Sequence, residues 1–484
     1  MNKRINLWWL LGILLGLRLV GMAIMPLTGT SEPRYAEMAR LMAATGDWIT
    51  PWFAPEQPFW GKPPFSFWTE ALAFKLLGIT EFAVRLPSWL ATLGSMGLIF
   101  AYARAHFGER VATWSLLIYA SCALVFIASG AVLTDPFLAL ATTWAMVAWA
   151  MAAKSPSWPW RYGFFVALAL GLLAKGPLMG VLVAGPLLPL LVFYPSLRCS
   201  AKKMPWVTGF ALTLLLSLPW YVLAELKTPG FLNYFLVGEH FLRFIDSGWA
   251  GDLYGVAHKR VKGAIWLDVL IASLPWGLLA LAMLLRQLIK PAQRAALWQK
   301  RLDPNLAYLL AWALFTPVFF SLSGNILWTY VLPALAAFSV LMALSVQQAL
   351  ANTRWALAMP VTLTLLIPLG VTLYMIVGAL QPQRLKTEKY LVAHALAQMK
   401  PDDKLVYLDK VPFSATFYAH GNVSAVSLNA LAQMPNSAAA LYVGLPKEDL
   451  QRVAAALNTP LQSSFESREH VLVLIPPKLA ALPR

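Results

Sequence analysis

Long apolar stretches recur along this chain and limit what it can fold into. A helix needs about 20 mostly apolar residues to cross a bilayer. Eleven stretches approach that length: 6–26, 83–103, 111–130, 136–153, 162–174, 177–197, 206–224, 264–285, 305–322, 328–348 and 356–379. Charged residues make up only 12% of the chain, against about 25% in soluble domains. The sequence therefore predicts an all-α polytopic membrane protein with about eleven transmembrane helices.

The first apolar stretch follows the basic Met1–Arg4 and resembles a signal peptide. It is longer than a typical signal-peptide core and lacks a small-x-small cleavage site, which predicts a retained first span. The two cysteines, Cys122 and Cys199, lie within or at the end of apolar spans. This placement argues against a disulfide framework or a cysteine metal cluster.

Basic residues distinguish the two sides of the predicted membrane domain. With the N-terminus inside, the inside loops contain only Glu109 and Asp303 as acids. The basic residues of those loops are Lys3, Arg4, Arg104, Arg110, Lys154, Arg161, Arg198, Lys202, Lys203, Arg286, Lys290, Arg294, Lys300, Arg301 and Arg354. Since cytoplasmic loops are enriched in Lys and Arg, we expect a bacterial inner-membrane protein with a cytoplasmic N-terminus. The net charge of +16 then reflects topology, not nucleic-acid binding.

The segments predicted to lie outside have a different composition. Residues 27–82 and 225–263 form two long outer loops that mix acids, bases and aromatic residues. After the last span, short apolar runs at 404–408, 440–443 and 470–475 alternate with helix-like stretches at 388–399 and 447–457. We predict a membrane domain over 1–380 and a small periplasmic α/β domain over 381–484.

The first outer loop opens with the sequence Ser31-Glu-Pro-Arg-Tyr-Ala-Glu37. Pro33 suits the first turn of a helix, and that helix would carry Glu37 and Arg40 beside apolar residues. The pattern fits a short amphipathic helix lying flat on the membrane. The alternative is an ordinary surface helix with solvated charges.

Further along this loop, Lys62 is fixed between Gly61 and a proline pair. Trp60, Phe65 and Trp68 are close to it in sequence. A cation held among aromatic rings at the membrane interface suits a lipid phosphate. The alternative is a lysine that extends its ammonium group to water.

Ionisable residues also stand at the outer ends of predicted spans. Asp135 follows Leu133-Thr134, and Lys175 precedes Gly176-Pro177. Ionisable groups at membrane depth are costly and are usually functional or face an aqueous cavity. Arg18 and Asp268 lie within spans and are assigned no functional role.

The second outer loop and the turn after residue 322 add further candidates. Glu239 and Arg243 are four residues apart, so on a helix they can pair. His240 is a candidate metal ligand, although a lone histidine is more often structural. Tyr330, in Ser323-Gly-Asn-Ile-Leu-Trp-Thr-Tyr330, can reach a phosphate oxygen.

Together these groups suit transfer of a sugar from a lipid phosphate. A carboxylate must deprotonate the acceptor, and Glu32 or Asp135 can do so. Positive donors must stabilise the phosphate leaving group; the candidates are Lys62, Arg34, Arg243, Lys175 or a metal. The chain has no Gly-rich P-loop or dinucleotide-binding fingerprint.

The ordered set of motifs resembles a known superfamily. These motifs are Ser31–Glu37, Thr45-Gly-Asp-Trp48, Gly61-Lys-Pro-Pro64, Leu133-Thr-Asp135, Lys175-Gly-Pro177, Glu239-His240 with Arg243-Phe244, and Thr329-Tyr-Val-Leu-Pro333. Over residues 1 to about 350 they are similar to the aminoarabinose lipid A transferase and protein O-mannosyltransferase superfamily of GT-C membrane glycosyltransferases. The C-terminal tail resembles the periplasmic domain of the aminoarabinose branch.

The resemblance implies a GT-C fold, a polyprenyl-phosphate sugar donor and a transfer with inversion. It implies Asp135 and the acidic start of loop one, Glu32, as catalytic carboxylates. It also implies that Lys62, Arg243 and Tyr330 lie near the donor phosphate. Further candidates for acceptor binding or for a structural role are Tyr35, Glu37, Arg85 and Glu239.

The chain departs from the superfamily pattern at several positions. Ser31 stands where an Asp is usual, and Gly61 where a Glu is usual. In the aminoarabinose branch that Glu helps to hold a metal with the loop histidine, so a divalent metal at His240 is left open. A lysine expected before Thr329 is missing, and eleven spans are counted instead of thirteen.

The sequence thus predicts a glycosyltransferase that uses a polyprenyl-phosphate-linked sugar at the periplasmic face. The acceptor would be lipid A, a lipid-linked glycan or protein, and the other partner is the phospholipid bilayer. The alternatives are a membrane transporter or lipid flippase, or a non-catalytic relative.

Overall fold

The computed structural model describes residues 6–246, 248–255, 258–289, 303–350, 357–433 and 439–476, without the side chains of residues 196, 199, 200, 349 and 350. Several basic residues used for the predicted orientation lie outside these ranges: Lys3, Arg4, Lys290, Arg294, Lys300, Arg301 and Arg354. The chain forms two compact units. The first contains Met1–Met22 and Met42–Thr372, and the second contains Ala23–Leu41 and Leu373–Arg484. The predicted domain boundary after residue 380 stays a prediction.

Helices dominate the described residues. In chain order the α-helices are α1 (Leu7–Ile24), α2 (Ser31–Thr45), α3 (Phe65–Leu77), α4 (Glu81–Phe107), α5 (Glu109–Ser121), α6 (Ala123–Ala128), α7 (Asp135–Lys154), α8 (Trp158–Lys175), α9 (Leu178–Phe193), α10 (Pro195–Lys202), α11 (Trp206–Lys227), α12 (Arg243–Ile245), α13 (Ile265–Ala272), α14 (Trp276–Ile289), α15 (Pro304–Phe320), α16 (Leu335–Leu350), α17 (Ala358–Leu380), α18 (Lys389–Gln398), α19 (Phe413–Tyr418), α20 (Leu428–Gln433) and α21 (Leu450–Ala456). A π-helix spans Asn233–Leu242, and 3₁₀ helices span Trp328–Ala334, Pro382–Arg384 and Lys447–Asp449.

The strands are fewer and short. In the described residues they are β1 (Trp52–Ala54), β2 (Gln57–Pro58), β3 (Lys404–Leu408), β4 (Ser424–Val426), β5 (Leu441–Pro446), β6 (Ser463–Glu466) and β7 (His470–Ile475). β1 and β2 form an antiparallel pair between α2 and α3. The other five form one sheet in the C-terminal part of the chain.

Among the described residues, six helical stretches are long and apolar enough to cross a membrane. They are Leu7–Ile24, Glu81–Phe107, Asp135–Lys154, Trp206–Lys227, Trp328–Gln348 and Ala358–Leu380. The bent pair α13 and α14 makes a seventh if it is one span, and α9 and α15 are shorter apolar helices. The chain is therefore a multi-pass membrane protein of mainly helical fold, while the count of eleven spans stays a prediction.

Two of the predicted spans are interrupted. The stretch 111–130 divides into α5 and α6 at Cys122, whose main chain is extended with ψ 133°. The helices α13 and α14 meet at an angle of 113°. The two breaks contact each other: Ala123 N donates to Leu274 O at 2.9 Å, and Trp276 Nε1 donates to Ser121 Oγ at 2.9 Å. Each break thus supplies partners for main-chain or polar groups of the other, as membrane interiors require.

The core of the first unit surrounds α7. Its alanines at 139, 141, 145 and 148 are almost fully buried, and such small side chains allow neighbouring helices to approach closely. The Thr142 hydroxyl donates within the helix to Leu138 O at 2.8 Å, so it is buried without losing a hydrogen bond. This packing holds the two ends of α7, and with them Asp135, in fixed positions.

The second unit contains a five-stranded sheet in the order β4-β3-β5-β7-β6. β3 runs parallel to β4 and β5, and β7 runs antiparallel to β5 and β6. Alternate residues of β3 serve separate clusters: Leu405 and Tyr407 pack in one, and Val406 and Leu408 in another. This period of two is the pattern of a sheet buried on both faces. The sheet confirms the predicted strands and the small C-terminal α/β domain.

A buried carboxylate connects the start of α18 to the sheet. Glu388 is 4% exposed. It accepts hydrogen bonds from Tyr407 Oη at 3.2 Å and Ser467 Oγ at 3.0 Å, and His470 Nδ1 lies 3.0 Å from it. A buried polar group must be hydrogen-bonded to be tolerated. We interpret this network as structural, since its partners account for both carboxylate oxygens.

Candidate active site

A cavity of about 170 Å³ in the first unit brings together side chains that are far apart in the sequence. Six predicted site residues line it: Lys62, Lys175, Glu239, His240, Arg243 and Tyr330. The remaining lining residues are Pro177, Leu178, Val181, Phe244, Phe319, Phe320, Ser323 and Asn325. The cavity therefore joins a group of charged side chains to a wall of apolar ones.

Lys62 is held in place by the segment before it. Trp60 N donates to Tyr254 Oη at 3.1 Å, and Trp60 Nε1 donates to Thr228 Oγ1 at 3.1 Å. Tyr254 Oη in turn donates to Pro58 O at 2.7 Å. These contacts fix residues 58–60 against the second long loop, so Lys62 projects from an anchored turn.

Lys175 and Asp135 form a buried ion pair between two helix ends. Asp135 opens α7, with Pro136 in the first turn, where a negative charge is favoured by the helix dipole. Lys175 is the last residue of α8, and its Nζ lies 2.7 Å from Asp135 Oδ1. The side chains are 7% and 11% exposed, respectively. Lys175 lines the cavity, and Asp135 pairs with it from the start of α7.

The local geometry requires a glycine at position 176, directly after Lys175. Gly176 has a φ of +73°, and a Cβ there would lie 2.6 Å from the Phe235 ring. Only glycine adopts this backbone at little cost and leaves space for the ring. The Lys-Gly-Pro motif thus ends α8 sharply and brings the π-helix close to it.

Glu239 is shared by two cations. Its Oε2 lies 3.3 Å from Lys62 Nζ, and its Oε1 lies 2.9 Å from Arg243 NH1. Burial alone would raise the pKa of Glu239, but Lys62 and Arg243 outweigh it and hold that pKa below its ordinary value. Arg243 also lies 3.5 Å from Asp252 Oδ2. The predicted Glu239–Arg243 pair is confirmed, at the end of a π-helix instead of within an α-helix.

His240 faces main-chain carbonyl groups. Its Nδ1 lies 2.7 Å from Phe235 O, and its Nε2 lies 2.9 Å from Lys175 O. Burial lowers the pKa of His240 below 6.5, more than these carbonyls raise it. Both ring nitrogens therefore lie within hydrogen-bond distance of carbonyl oxygens. Within the described residues, no three His, Cys, Asp or Glu side chains are grouped so that they could hold a metal ion.

Gly61 also bears on a metal site. A Cβ at this position would lie 2.9 Å from Cζ of Phe59. Phe59 is 4% exposed, and its ring centroid is 4.7 Å from that of Tyr254. A longer side chain at position 61 requires this ring to move. The residues present therefore do not fit a metal held between position 61 and His240.

The apolar wall of the cavity is built from aromatic rings. Phe244 stacks on Phe319 at 4.9 Å, and Phe320 lies 4.8 Å from the Tyr330 ring. Lys175 Nζ lies 5.2 Å from the Tyr330 ring centroid, a distance at which a cation is attracted to the ring face. Tyr330 thus stands where the apolar wall meets the charged group.

The predicted residues of the first loop helix lie in the second unit. Glu32 Oε2 accepts from Thr28 N at 3.0 Å, and the Arg34 guanidinium lies 5.1 Å from the Tyr35 ring and 5.9 Å from Phe413. Glu37 forms a two-fold hydrogen-bonded pair with Arg40, at 2.7 Å in both contacts. Their contacts named here stay within that unit, so their grouping with Lys62 stays a prediction.

Three ionisable residues within helices have local partners. Arg85 is 3% exposed and donates to Met22 O at 3.1 Å. Arg18 donates to Ile127 O at 2.6 Å. Asp268 lies 2.5 Å from Arg260 NH1. The role predicted for Arg85, in acceptor binding or in the structure, stays a prediction.

Asp252, Ser323 and Asn325 belong to the site but have no sequence signal that predicts it. Asp252 Oδ1 accepts a hydrogen bond from Tyr254 N at 3.0 Å, and its Oδ2 lies 3.5 Å from Arg243 NH1. Ser323 and Asn325 line the cavity from a segment noted only for Tyr330. A run of Ser, Gly and Asn is a common turn signal, so it gave no sign of a binding role.

Comparison with known proteins finds similar transferases. A family model for dolichyl-phosphate-mannose-protein mannosyltransferase matches residues 61–222. An undecaprenyl phosphate-alpha-4-amino-4-deoxy-L-arabinose arabinosyl transferase of Yersinia pestis (strain Pestoides F) is 31% identical over 321 residues, which are 64% of this chain and 54% of the relative. Its Serratia proteamaculans (strain 568) counterpart is 30% identical over 354 residues, or 71% and 60% of the two chains. This chain thus spans little more than half the length of the curated relatives.

Solved structures show the same fold over nearly the whole chain. ArnT from Cupriavidus metallidurans bound to undecaprenyl phosphate superposes with a TM-score of 0.76 at 18% identity, covering 99% of both chains. An oligosaccharyltransferase from Archaeoglobus fulgidus in the apo form superposes with a TM-score of 0.54 at 13% identity, covering 95% of this chain and 70% of that one. Together with the sequence matches, they show that the chain is similar in sequence to aminoarabinose transferases and protein mannosyltransferases and shares the fold of these solved structures.

Proposed function

We propose that this protein is a glycosyltransferase that moves a sugar from a polyprenyl-phosphate donor to an envelope acceptor. The acceptor is lipid A, a lipid-linked glycan or a protein. The observation that carries the proposal is the cavity in which Lys62, Lys175 and Arg243 meet an apolar wall. A ligand with an anionic head group and a long hydrocarbon tail matches both features: the head group can contact the cations, and the tail can contact the apolar wall. A solved GT-C structure with undecaprenyl phosphate bound supports the same class of ligand.

The cations keep donors for a phosphate although each is paired. A lysine ammonium has three N–H donors and a guanidinium has five. The contacts of Arg243 to Glu239 and Asp252 use one atom, NH1. In the proposed complex Lys62, Arg243 and Tyr330 hold the donor phosphate, with Lys175 adding positive charge beside Tyr330.

The transfer itself needs a base and a leaving group. A carboxylate, Asp135 or Glu32, takes the proton of the acceptor hydroxyl while its oxygen attacks the anomeric carbon. The bond from that carbon to the phosphate oxygen breaks on the opposite face, so the configuration inverts. Polyprenyl phosphate leaves with the bonding electrons, and the cations stabilise the charge that develops on it.

The proposal includes a location. The protein lies in a bacterial inner membrane with a cytoplasmic N-terminus, and its C-terminal α/β domain is periplasmic. The donor and acceptor then meet at the periplasmic face. The surplus of Lys and Arg in the predicted inside loops supports this orientation.

Mass spectrometry of envelope lipids and glycans tests the proposed activity. Cells that lack the gene should lose one sugar substituent. The native gene and a Lys410→Met control, which changes an exposed lysine, should restore it, whereas Lys62→Met should not. An unchanged envelope, combined with lipid scrambling by the purified protein in vesicles, would replace this proposal by the flippase alternative.

A further inference from the structure

The side chain of Asn325, in the segment 323–325 that lines the cavity, is held in a fixed position. Arg260 N donates to Gly324 O at 2.8 Å, and His258 N donates to Asn325 Oδ1 at 3.3 Å. Ser323 Oγ accepts from Asn325 N at 3.2 Å and donates to Asn325 O at 3.3 Å. Both the main chain and the amide oxygen of Asn325 are thereby held.

This arrangement also identifies which atom of the amide has its partner in the protein. A main-chain N–H can donate only to the oxygen of an asparagine amide, so the contact to His258 assigns Oδ1 and leaves Nδ2 on the other side. Asn325 is 5% exposed and lines the cavity. In the described part of the chain, no hydrogen-bond partner is found for Nδ2. Buried amide donors rarely stay without a partner, which points to one supplied by a ligand.

The charges of the cavity indicate which part of the ligand this donor meets. Lys62, Arg243 and Lys175 already provide cations for a phosphate. A neutral amide adds no charge, but it is a directional donor that suits a neutral oxygen such as a sugar hydroxyl. The cavity volume of about 170 Å³ is far above the roughly 10–15 Å³ that a cavity needs to hold one water, so there is room for more than a single water.

We propose that Asn325 determines sugar specificity by donating a hydrogen bond from Nδ2 to a hydroxyl oxygen of the sugar carried by the polyprenyl phosphate. This inference rests on the proposed function and assigns the sugar end of the same cavity. A site built to bond a hydroxyl discriminates strongly against ligands that lack it, because its own polar group is then left unpaired.

Equilibrium binding to the purified full-length protein in nanodiscs tests the assignment. The probes are undecaprenyl phosphate, its 4-amino-4-deoxy-L-arabinose form and its mannose form. The measured quantity is the ratio of the Kd of the bare lipid phosphate to the Kd of each sugar-linked lipid. For the native protein, we expect this ratio to exceed one for at least one sugar.

Asn325→Leu replaces the amide by an apolar side chain of similar size, so the hydrogen-bond donor is lost. We expect the ratio of Kd values to fall about tenfold. The Kd of the bare lipid phosphate should change by less than about twofold. Asn325→Asp keeps the acceptor for His258 N and should also lose the preference. It serves as the second variant if the leucine variant does not fold. His258→Ala changes an exposed side chain but keeps the main-chain N–H, and it should bind as the native protein does.

Three results would overturn the assignment. They are an unchanged ratio in the Asn325 variants, a native protein with no sugar preference, and an equal loss of binding for the bare lipid phosphate in Asn325→Leu. The last result would make Asn325 a phosphate ligand. Failure of the native protein to bind any of the three lipids would instead contradict the proposed function.

Discussion

Lys175 Nζ lies 2.7 Å from Asp135 Oδ1, and both side chains are buried. The pair joins the N-terminal end of α7 to the C-terminal end of α8 at the cavity. Removing one partner of a buried pair leaves the other without compensation. Asp135 is therefore both a candidate base and the group that holds the Lys175 cation beside Tyr330.

Replacing Asp135 by Asn should abolish sugar transfer without unfolding the protein. Asn keeps an oxygen that can accept a hydrogen bond from Lys175, but it cannot take a proton from the acceptor. Loss of general-base catalysis costs about 10²–10⁴-fold in rate. The measurement is the turnover rate of the purified variant beside its thermal unfolding curve.

Lys175→Met provides the matched comparison for this prediction. If Asp135 acts only by holding Lys175, then Lys175→Met and the double variant with Asp135→Asn should show the same rate as Asp135→Asn alone. If Asp135 is the base, the double variant should be slower than Lys175→Met. Full activity of Asp135→Asn would remove this residue from the mechanism.

The low pKa of Glu239 predicts how stability depends on pH. Burial opposes ionisation of Glu239, but Lys62 and Arg243 hold its pKa below 4.5. The unfolded chain therefore takes up the proton first as the pH falls. The stabilisation from Glu239 is fully present above pH 4.5 and is lost as the pH falls through the folded-state pKa.

Glu239→Gln should remove this contribution. We expect a lower Tm at neutral pH, because a cation pair loses its shared carboxylate at a cost of about 3 kcal/mol. We also expect a smaller drop in Tm between neutral pH and pH below 4.5 than in the native protein. Parallel Tm curves for the two proteins would show that Glu239 is not the titrating group.

The environment of Gly61 and His240 predicts activity that does not depend on a bound metal. Treatment with a chelator should leave the transfer rate unchanged.

Gly61→Glu should destabilise the protein by about 1–3 kcal/mol, the usual cost of overpacking, because its Cβ meets the Phe59 ring at 2.9 Å. Thermal unfolding with and without Zn²⁺ provides the check. Loss of activity when the native enzyme is treated with a chelator would contradict the metal-independent activity. A Zn²⁺-dependent rise in the Tm of Gly61→Glu would contradict the conclusion that a metal does not fit between position 61 and His240.

Much of the fold could be predicted from local sequence patterns. The short apolar runs at residues 404–408 and 470–475 are strands as expected, and Glu239 and Arg243 pair at the predicted spacing. These features depend on residues that are neighbours in the chain. The breaks at Cys122 and at the bend after Ala272 could not be seen, because an apolar window of about 20 residues averages over a short interruption.

The cavity was predictable only in part. Lys175 could be selected because ionisable groups at membrane depth are costly, and Lys62 because aromatic residues surround it in the sequence. Their partners could not, since Lys62 meets Glu239 from 177 positions away. Asn325 was missed for the same reason: its amide oxygen is held by His258 N, 67 positions earlier. Such contacts depend on how the loops pack, which local patterns do not encode.

Equilibrium binding of undecaprenyl phosphate tests the central claim, that Lys62 and Arg243 hold a lipid phosphate, most directly. We predict saturable binding to the native protein in nanodiscs, with a Kd weakened about tenfold or more by Lys62→Met, since a charge-assisted hydrogen bond is lost. The control Lys410→Met, at an exposed lysine, should bind as the native protein does. Equal affinity of the native protein and Lys62→Met, or no binding by the native protein, would contradict the claim.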